Sequence, residues 1–369
     1  MSKVMCAIGL MSGTSMDGID VARIETDGDR ILRRFPAITY PYSVDFRARL
    51  IEALDIAQTL RGRTARPGAL AEIEAVLTTH HADAVTTYLR DSAPMEGPAA
   101  VDLIGFHGQT ILHRPAERLT VQLGDGPKLA TMTGIPVIYD LRAADVAAGG
   151  QGAPLACIYH RAMASHVPDR PVAVLNIGGV ANVTWVGPGN DLIGFDTGPG
   201  NAMIDDWVQS KAGAMRDEDG AFAAQGRISD DIIRTYLEGP YFDQPPPKSL
   251  DRNAFPLARV SGLSLEDGAA TLTALTVATI ARSVDHMPAA PVAWIVCGGG
   301  RHNRTMMRLL AAQLPGKVMP AEALGYDGDS IEAEAWAYLA VRSKLGLPIS
   351  FPKTTGVPRP MSGGIMARP

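Results

Sequence analysis

A chain of 369 residues is longer than one hydrophobic core usually serves, so two domains are expected. Its 46% apolar and 20% charged residues and net charge of −5 describe a soluble globular protein, and its basic residues are scattered rather than gathered into a stripe, which argues against nucleic acid as a partner. No stretch reaches the roughly 18 apolar residues that span a bilayer, the N-terminal apolar run lacks the form of a signal peptide, and the three cysteines, Cys6, Cys157 and Cys297, lack zinc or CxxC spacing, so a cytoplasmic protein with small buried thiols and no membrane partner is expected.

The first predicted element is a short apolar strand, Val4 to Leu10, answered by Ile19 to Ile24. Between them lies a turn carrying Gly13, Thr14, Ser15, Asp17 and Gly18. Glycines let backbone N–H groups converge on an anion, while hydroxyls and a carboxylate suit a metal-bound polyphosphate. The segment therefore reads either as a phosphate-binding hairpin or as a plain glycine turn. Asp45 to Gln58 and Ala69 to Leu89 have helical spacing and would cover a sheet. Val101 to Phe106 is a buried-strand candidate that delivers His107, Gly108, Gln109 and Thr110 at its carboxyl end, where α/β sheets place ligand groups. A lone histidine is more often a packing or surface residue, and the strand-end position is what favours a functional one.

Leu119 to Leu123 and Ile135 to Tyr139 are further short strands, followed by a composition shift from Pro136 to Gly152 that suits a domain crossing. The glycines at 149, 150 and 152 then lead into a helix-like run, Leu155 to Ser165. Val172 to Val186 repeats the layout of the opening hairpin: strand, Gly178-Gly179 turn, strand. That suggests duplicated halves, with chance likeness of two glycine hairpins as the alternative. Leu192 to Phe195 feeds Asp196-Thr-Gly-Pro-Gly-Asn201 and a helix from Ala202 to Val208. A carboxylate at a strand end is where a general base would be held; Asn201 is the better helix cap, which leaves Asp196 for chemistry.

Residues 217–251 are polar and proline-rich and read as a surface subdomain or lid, with Lys248 and Arg252 on solvated surface. Leu263 to Met287 is a long buried helix. Val292 to Val296 is a strand running into Cys297, Gly298, Gly299, Gly300 and Asn303, then a helix from Arg304 to Leu314; strand, triple glycine, helix suits a base or phosphate lying against backbone. A last helix opens at Asp329 or Ser330, with Glu332 and Glu334 in its first turn, where the helix dipole alone would favour them. A serine hydrolase is disfavoured: Gly13-Thr-Ser15-Met-Asp17 lacks the second elbow glycine and precedes a strand rather than a helix. GxxxxGK[ST] and HExxH are both absent.

Taken together, Gly9-Leu-Met-Ser-Gly-Thr-Ser-Met-Asp-Gly-Ile-Asp20, Gly105-Phe-His-Gly-Gln-Thr110, Gln122-Leu-Gly-Asp125, Ala147-Ala-Gly-Gly-Gln-Gly-Ala-Pro-Leu155, Leu175-Asn-Ile-Gly-Gly-Val-Ala-Asn182, Gly194-Phe-Asp-Thr-Gly-Pro-Gly-Asn201, Cys297-Gly-Gly-Gly300 and Ile331-Glu-Ala333 closely resemble the anhydro-N-acetylmuramic acid kinases of the sugar kinase, heat-shock ATPase and actin superfamily. The departure is Lys248-Ser-Leu-Asp-Arg252, where a Thr-Gly pair is expected in place of Leu250-Asp251. The resemblance implies an α/β chain of two ribonuclease-H-like domains flanking a nucleotide cleft, divided near 1–140 and 141–369, with the C-terminal segment able to return to the first. It implies ATP and Mg²⁺, an amino sugar as substrate, and a homodimer. The implied reaction opens 1,6-anhydro-N-acetylmuramic acid with water and phosphorylates the freed O6, in cell-wall recycling. Asp196 would be the general base. Gly13, Thr14, Ser15, Met16, Asp17, Gly18, Ile19 and Asp20 would hold the β- and γ-phosphates, with Asp17 at the metal directly or through water. Gly179 would contribute from the other half, Gly298, Gly299, Gly300 and Asn303 at the adenosine, and His107, Gln109 and Glu332 at the sugar. An ordinary hexosamine kinase or a sugar-independent ATPase switch on the same fold are the alternatives.

Overall fold

The structure, a computed structural model, describes residues 3–13, 15–96, 100–189, 191–250 and 254–369. Thr14 of the opening turn and Asp251 and Arg252 of the lid segment, on which the sequence reading drew, lie outside the described residues. Two compact units divide the chain: Met1–Met163 with Glu332–Pro369, and Ala164–Ile331.

The first unit is built on β1 (Met5–Ser12), β2 (Gly18–Thr26), β3 (Ile31–Arg34), β4 (Ile38–Pro41), β5 (Leu103–Arg114), β6 (Leu119–Leu123) and β7 (Val137–Tyr139), closed at one edge by the C-terminal strand Ile365–Ala367. β2 is antiparallel to β1, and β3 and β4 are antiparallel to β2, while β5 and β7 continue from β1 in parallel. Every residue of β1 is buried, as a strand covered on both faces requires. On one face the helix Leu70–Glu96 sets Ala82, Val85 and Tyr88 against Ile8, Leu10, Ile104 and Phe106. On the other, the helix Ile331–Lys344 lies directly on the strands. A Cβ on Gly9 would stand 1.8 Å from Ala333 O, and one on Gly105 2.1 Å from Trp336 O. This return of residues 332–369, and the helix Cys157–Ala164, move the division of the units to Met163, later than the expected one at 140.

The second unit holds β8 (Val172–Ile177), β9 (Val180–Val186), β10 (Leu192–Pro199), β11 (Ala293–Cys297) and β12 (Lys317–Pro320), ordered β10-β9-β8-β11-β12. β9 and β10 are antiparallel, and β11 and β12 parallel, to their neighbours. The helix Leu265–Arg282 packs Leu272, Leu275 and Ile280 into a core with Trp185, Trp207 and Trp294. The pairings repeat those of the first sheet, three antiparallel strands followed by two parallel ones. The chain is therefore an α/β protein whose two sheets share the pairing pattern expected of two ribonuclease-H-like units.

Several elements carry no sequence expectation above: β3, β4, β12, the C-terminal strand, and the helices Gly126–Thr133 and Asp230–Leu237. β3 and β4 are four-residue strands of partly exposed residues, too short for an alternation to show. The helix Gly126–Thr133 opens on Asp125, whose Oδ1 accepts from Lys128 N–H at 2.9 Å.

Candidate active site

The β1–β2 turn is braced from beneath by side chains. Ser12, fully buried at the end of β1, donates from Oγ to Gln109 Oε1 at 2.6 Å and meets Tyr42 OH at 2.9 Å. Burial, with the Asp17 and Asp20 charges adding, pushes the Tyr42 phenol well above its usual value, so it remains a donor into this chain. Gln109 Nε2 donates in turn to Gly13 O at 3.1 Å. Gln109, 1% exposed, thus has both ends engaged in shaping the turn. Met16 takes a left-handed φ of +51° and is buried among Phe46 and Leu50; Ile19 is buried in the sheet core. Only their backbones are available to a ligand. Ser15 and Asp17 are exposed, joined by a 2.7 Å bond from Ser15 Oγ to Asp17 Oδ1, and Asp20 Oδ1 accepts from Thr39 at 2.6 Å. Gly18 leaves room for Tyr40 O, which a Cβ would approach to 2.6 Å.

His107, on β5 beyond Phe106, is buried between two groups. Arg142 Nε donates to its Nε2 at 3.1 Å, and its ring lies 4.4 Å from that of Trp336. Burial first, and the Arg142 charge second, hold the imidazole well below its usual value, so it stays neutral. Arg142 also donates to Gly152 O at 2.7 Å, and Asp145 Oδ1 accepts from Gly152 N–H at 2.6 Å, which fixes the glycine loop beside the histidine. Glu332 is exposed in the first turn of its helix; Glu334 is buried and accepts from Tyr159 OH.

In the second unit Asp196 sits inside β10, at a bulge between Asp196 and Gly198, rather than past the strand's end. It is 8% exposed. Three contacts from one loop reach it. Leu250 N–H donates to Asp196 Oδ2 at 2.8 Å, Asp196 N–H donates to Lys248 O at 3.1 Å, and Tyr241 OH donates to Asp196 O at 2.5 Å. The lid segment expected on the surface is thus folded onto the carboxylate, and Lys248, expected to be solvated, is 6% exposed.

The Gly178-Gly179 turn docks against the start of the helix Ala202–Ala212: Gly179 O accepts from Gly200 and Ala202 N–H, and Gly178 O from Asn201 N–H. Asn201 holds the cap position without a capping side-chain bond; its Nδ2 donates instead to Ile177 O at 3.1 Å. Of the glycine triplet, Gly298 has φ +74° and no space for a Cβ, which would stand 2.3 Å from Asn176 Oδ1. Gly300 packs on Ile177, and Gly299 has open surroundings, its nearest neighbour 3.6 Å away. Asn303 caps the helix Arg304–Gln313, its Oδ1 accepting from Met306 N–H at 2.9 Å.

Sequence reasoning missed the partners that hold these groups. Tyr42, Tyr241 and Arg142 carry no motif. Arg301, buried beside the triplet, grips Asp329 at 2.6 and 2.8 Å and Glu322 at 2.8 Å; against the cost of burial, those carboxylates hold it charged. Asp329 was a helix-cap candidate, and only its distance in sequence from Arg301 hid the pair.

A family profile described as anhydro-N-acetylmuramic acid kinase matches residues 5–368. Among curated relatives, proteins named anhydro-N-acetylmuramic acid kinase from Rhizobium etli (50% identical, covering 100% of both chains), Methylobacterium nodulans (52%, 99% of this chain and 100% of that one) and Nitrobacter winogradskyi (51%, 99% and 100%) match along the whole length.

Proposed function

The chain belongs to the anhydro-N-acetylmuramic acid kinase family, and on that premise we propose that water opens the 1,6-anhydro bridge of N-acetylmuramic acid while O6 takes the γ-phosphoryl group of ATP, giving the sugar 6-phosphate and ADP. The observation that carries the residue assignment is Asp196: a nearly buried carboxylate whose Oδ2 is fixed by Leu250 N–H and whose backbone is fixed by Tyr241 and Lys248. Such a group is held in one orientation and suits a general base, which takes the proton of the attacking water as the C1–O6 bond breaks. The departing O6 then meets the phosphoryl group, whose transfer needs positioning and charge neutralisation rather than a protein nucleophile.

The turn from Gly13 to Asp20 is assigned to the β- and γ-phosphates, Gly179 to phosphate from the second unit, and Gly298 to Gly300 to the adenosine side. His107 and Glu332 are assigned to the sugar. Gln109, which also braces the first turn, is assigned to the sugar with them, and Asn303, which also caps its helix, to the nucleotide. Among the described residues no group of three or more His, Cys, Asp or Glu gathers as a metal cage. Mg²⁺ keeps waters and phosphate oxygens and asks a protein for one or two carboxylates. Asp17 is the one assigned, directly or through water, and the ion would neutralise charge on the transferred phosphoryl group. A homodimer in the cytoplasm completes the reading.

Incubation with 1,6-anhydro-N-acetylmuramic acid, ATP and ¹⁸O-water tests it. Label at the anomeric hydroxyl with stoichiometric ADP supports it. Turnover of free N-acetylhexosamine alone would make the chain an ordinary hexosamine kinase, and ADP release independent of sugar would make it a switch.

A further inference from the structure

Lys248 is the buried cation that the proposed reaction leaves without a task. It is 6% exposed, and its Nζ is held by carbonyl oxygens and an imidazole. Burial first, and the nearby Arg282 charge second, pull it down to about 8, with Asp243 opposing. A cation in that setting is costly, and where only packing is wanted a methionine of similar length serves as well.

Its contacts show what it holds together. Nζ donates to Tyr241 O at 3.1 Å and Phe242 O at 3.4 Å, meets His286 Nε2 at 3.2 Å, and lies over the Tyr241 ring at 4.7 Å. The side chain thereby ties residue 248 back to residues 241 and 242 across the loop containing Pro245, Pro246 and Pro247, whose rings already restrict the backbone. Both ends of that loop touch Asp196, through Tyr241 OH at one end and through Lys248 O and Leu250 N–H at the other.

We propose that Lys248 is a positioning residue for the reaction: its ammonium cross-braces the 241–250 loop into a collar that holds the Asp196 carboxylate in place. Lys248 touches no reacting atom; it acts through the loop. This rests on Asp196 as the base, and the test separates the two.

Lys248→Met removes the donors and keeps the packing, while Lys248→Gln keeps one side of the brace. Hydrogen exchange at the Asp196 and Leu250 amides should quicken by about tenfold in Lys248→Met, with protection elsewhere in β8 to β10 unchanged. Turnover of the anhydro sugar should fall by about tenfold while KM for ATP stays within about twofold, and Lys248→Gln should lie between. Unchanged exchange at both amides, or exchange rising equally throughout the sheet, would overturn the proposal. Should Lys248→Met fail to fold, Lys248→Gln gives the same readings. If the native chain does not turn over the anhydro sugar, the function fails, while the exchange data still decide what Lys248 does.

Discussion

Asp196→Asn separates basicity from geometry. The amide has the shape of the carboxylate, and its oxygen can accept from Leu250 N–H as Oδ2 does at 2.8 Å. Tyr241 and Lys248 grip only the backbone of residue 196, so the collar stays in place. The Leu250 contact becomes a hydrogen bond to a neutral rather than a charged acceptor, which costs about 1 kcal/mol of stability. The lost function is larger: general-base catalysis contributes about 10²–10⁴-fold, equivalent to about 2.7–5.4 kcal/mol in the barrier. Turnover of the anhydro sugar in a coupled ADP assay should therefore fall by about 10²–10⁴-fold, with ATP affinity within about twofold of the native value by nucleotide fluorescence. Native turnover in the variant would remove Asp196 from the mechanism. Loss of ATP binding alongside turnover would mean that the residue holds nucleotide instead.

Gly298→Ala places a Cβ where φ is +74° and Asn176 Oδ1 stands 2.3 Å away; a cost of about 1–3 kcal/mol from a backbone region that is essentially glycine-only, with displacement added, should lower the midpoint of thermal unfolding and raise KM for ATP. Ser12→Ala leaves the buried Gln109 Oε1 without the Ser12 donor and should cost about 1–3 kcal/mol in urea unfolding. His81 and His160 are pulled down by burial to about 4 from 6.5. The unfolded chain then binds protons at a higher pH than the folded one, so stability is full above pH 6.5 and falls towards pH 4, by about 2 kcal/mol per histidine at pH 5. Equal urea midpoints at pH 7 and pH 5 would contradict that reading.

The apolar strands and long helices were legible because burial on both faces leaves continuous runs, as in Met5–Ser12 and Val172–Ile177. Short edge strands were not, since four half-exposed residues carry no period. The turns were legible from their glycines, but not which side chains brace them: Tyr42 and Gln109 reach Ser12 from 30 and 97 residues away. The lid was misjudged for a related reason. Proline and charge read as solvent-facing surface, and only tertiary packing shows that Lys248 satisfies its donors on carbonyls inside the loop.

The two equivalent turns also argue for anions in a way composition could not. A phosphate is repelled by carbonyl oxygens, so a turn that binds one must direct them elsewhere. In the first unit Gly13 O accepts from Met16 N–H and Gln109 Nε2, Ser15 O from Arg47, and Asp17 O from Tyr42 N–H. In the second, Ile177 O accepts from Asn201 Nδ2, Gly178 O from Asn201 N–H, and Gly179 O from Gly200 and Ala202 N–H. One turn achieves this with the Met16 and Tyr42 amides and the side chains of Gln109 and Arg47, the other by docking on the start of a helix. The engagement of these carbonyls at the same topological position in both sheets, by different donors, supports the phosphate assignment proposed for the two turns.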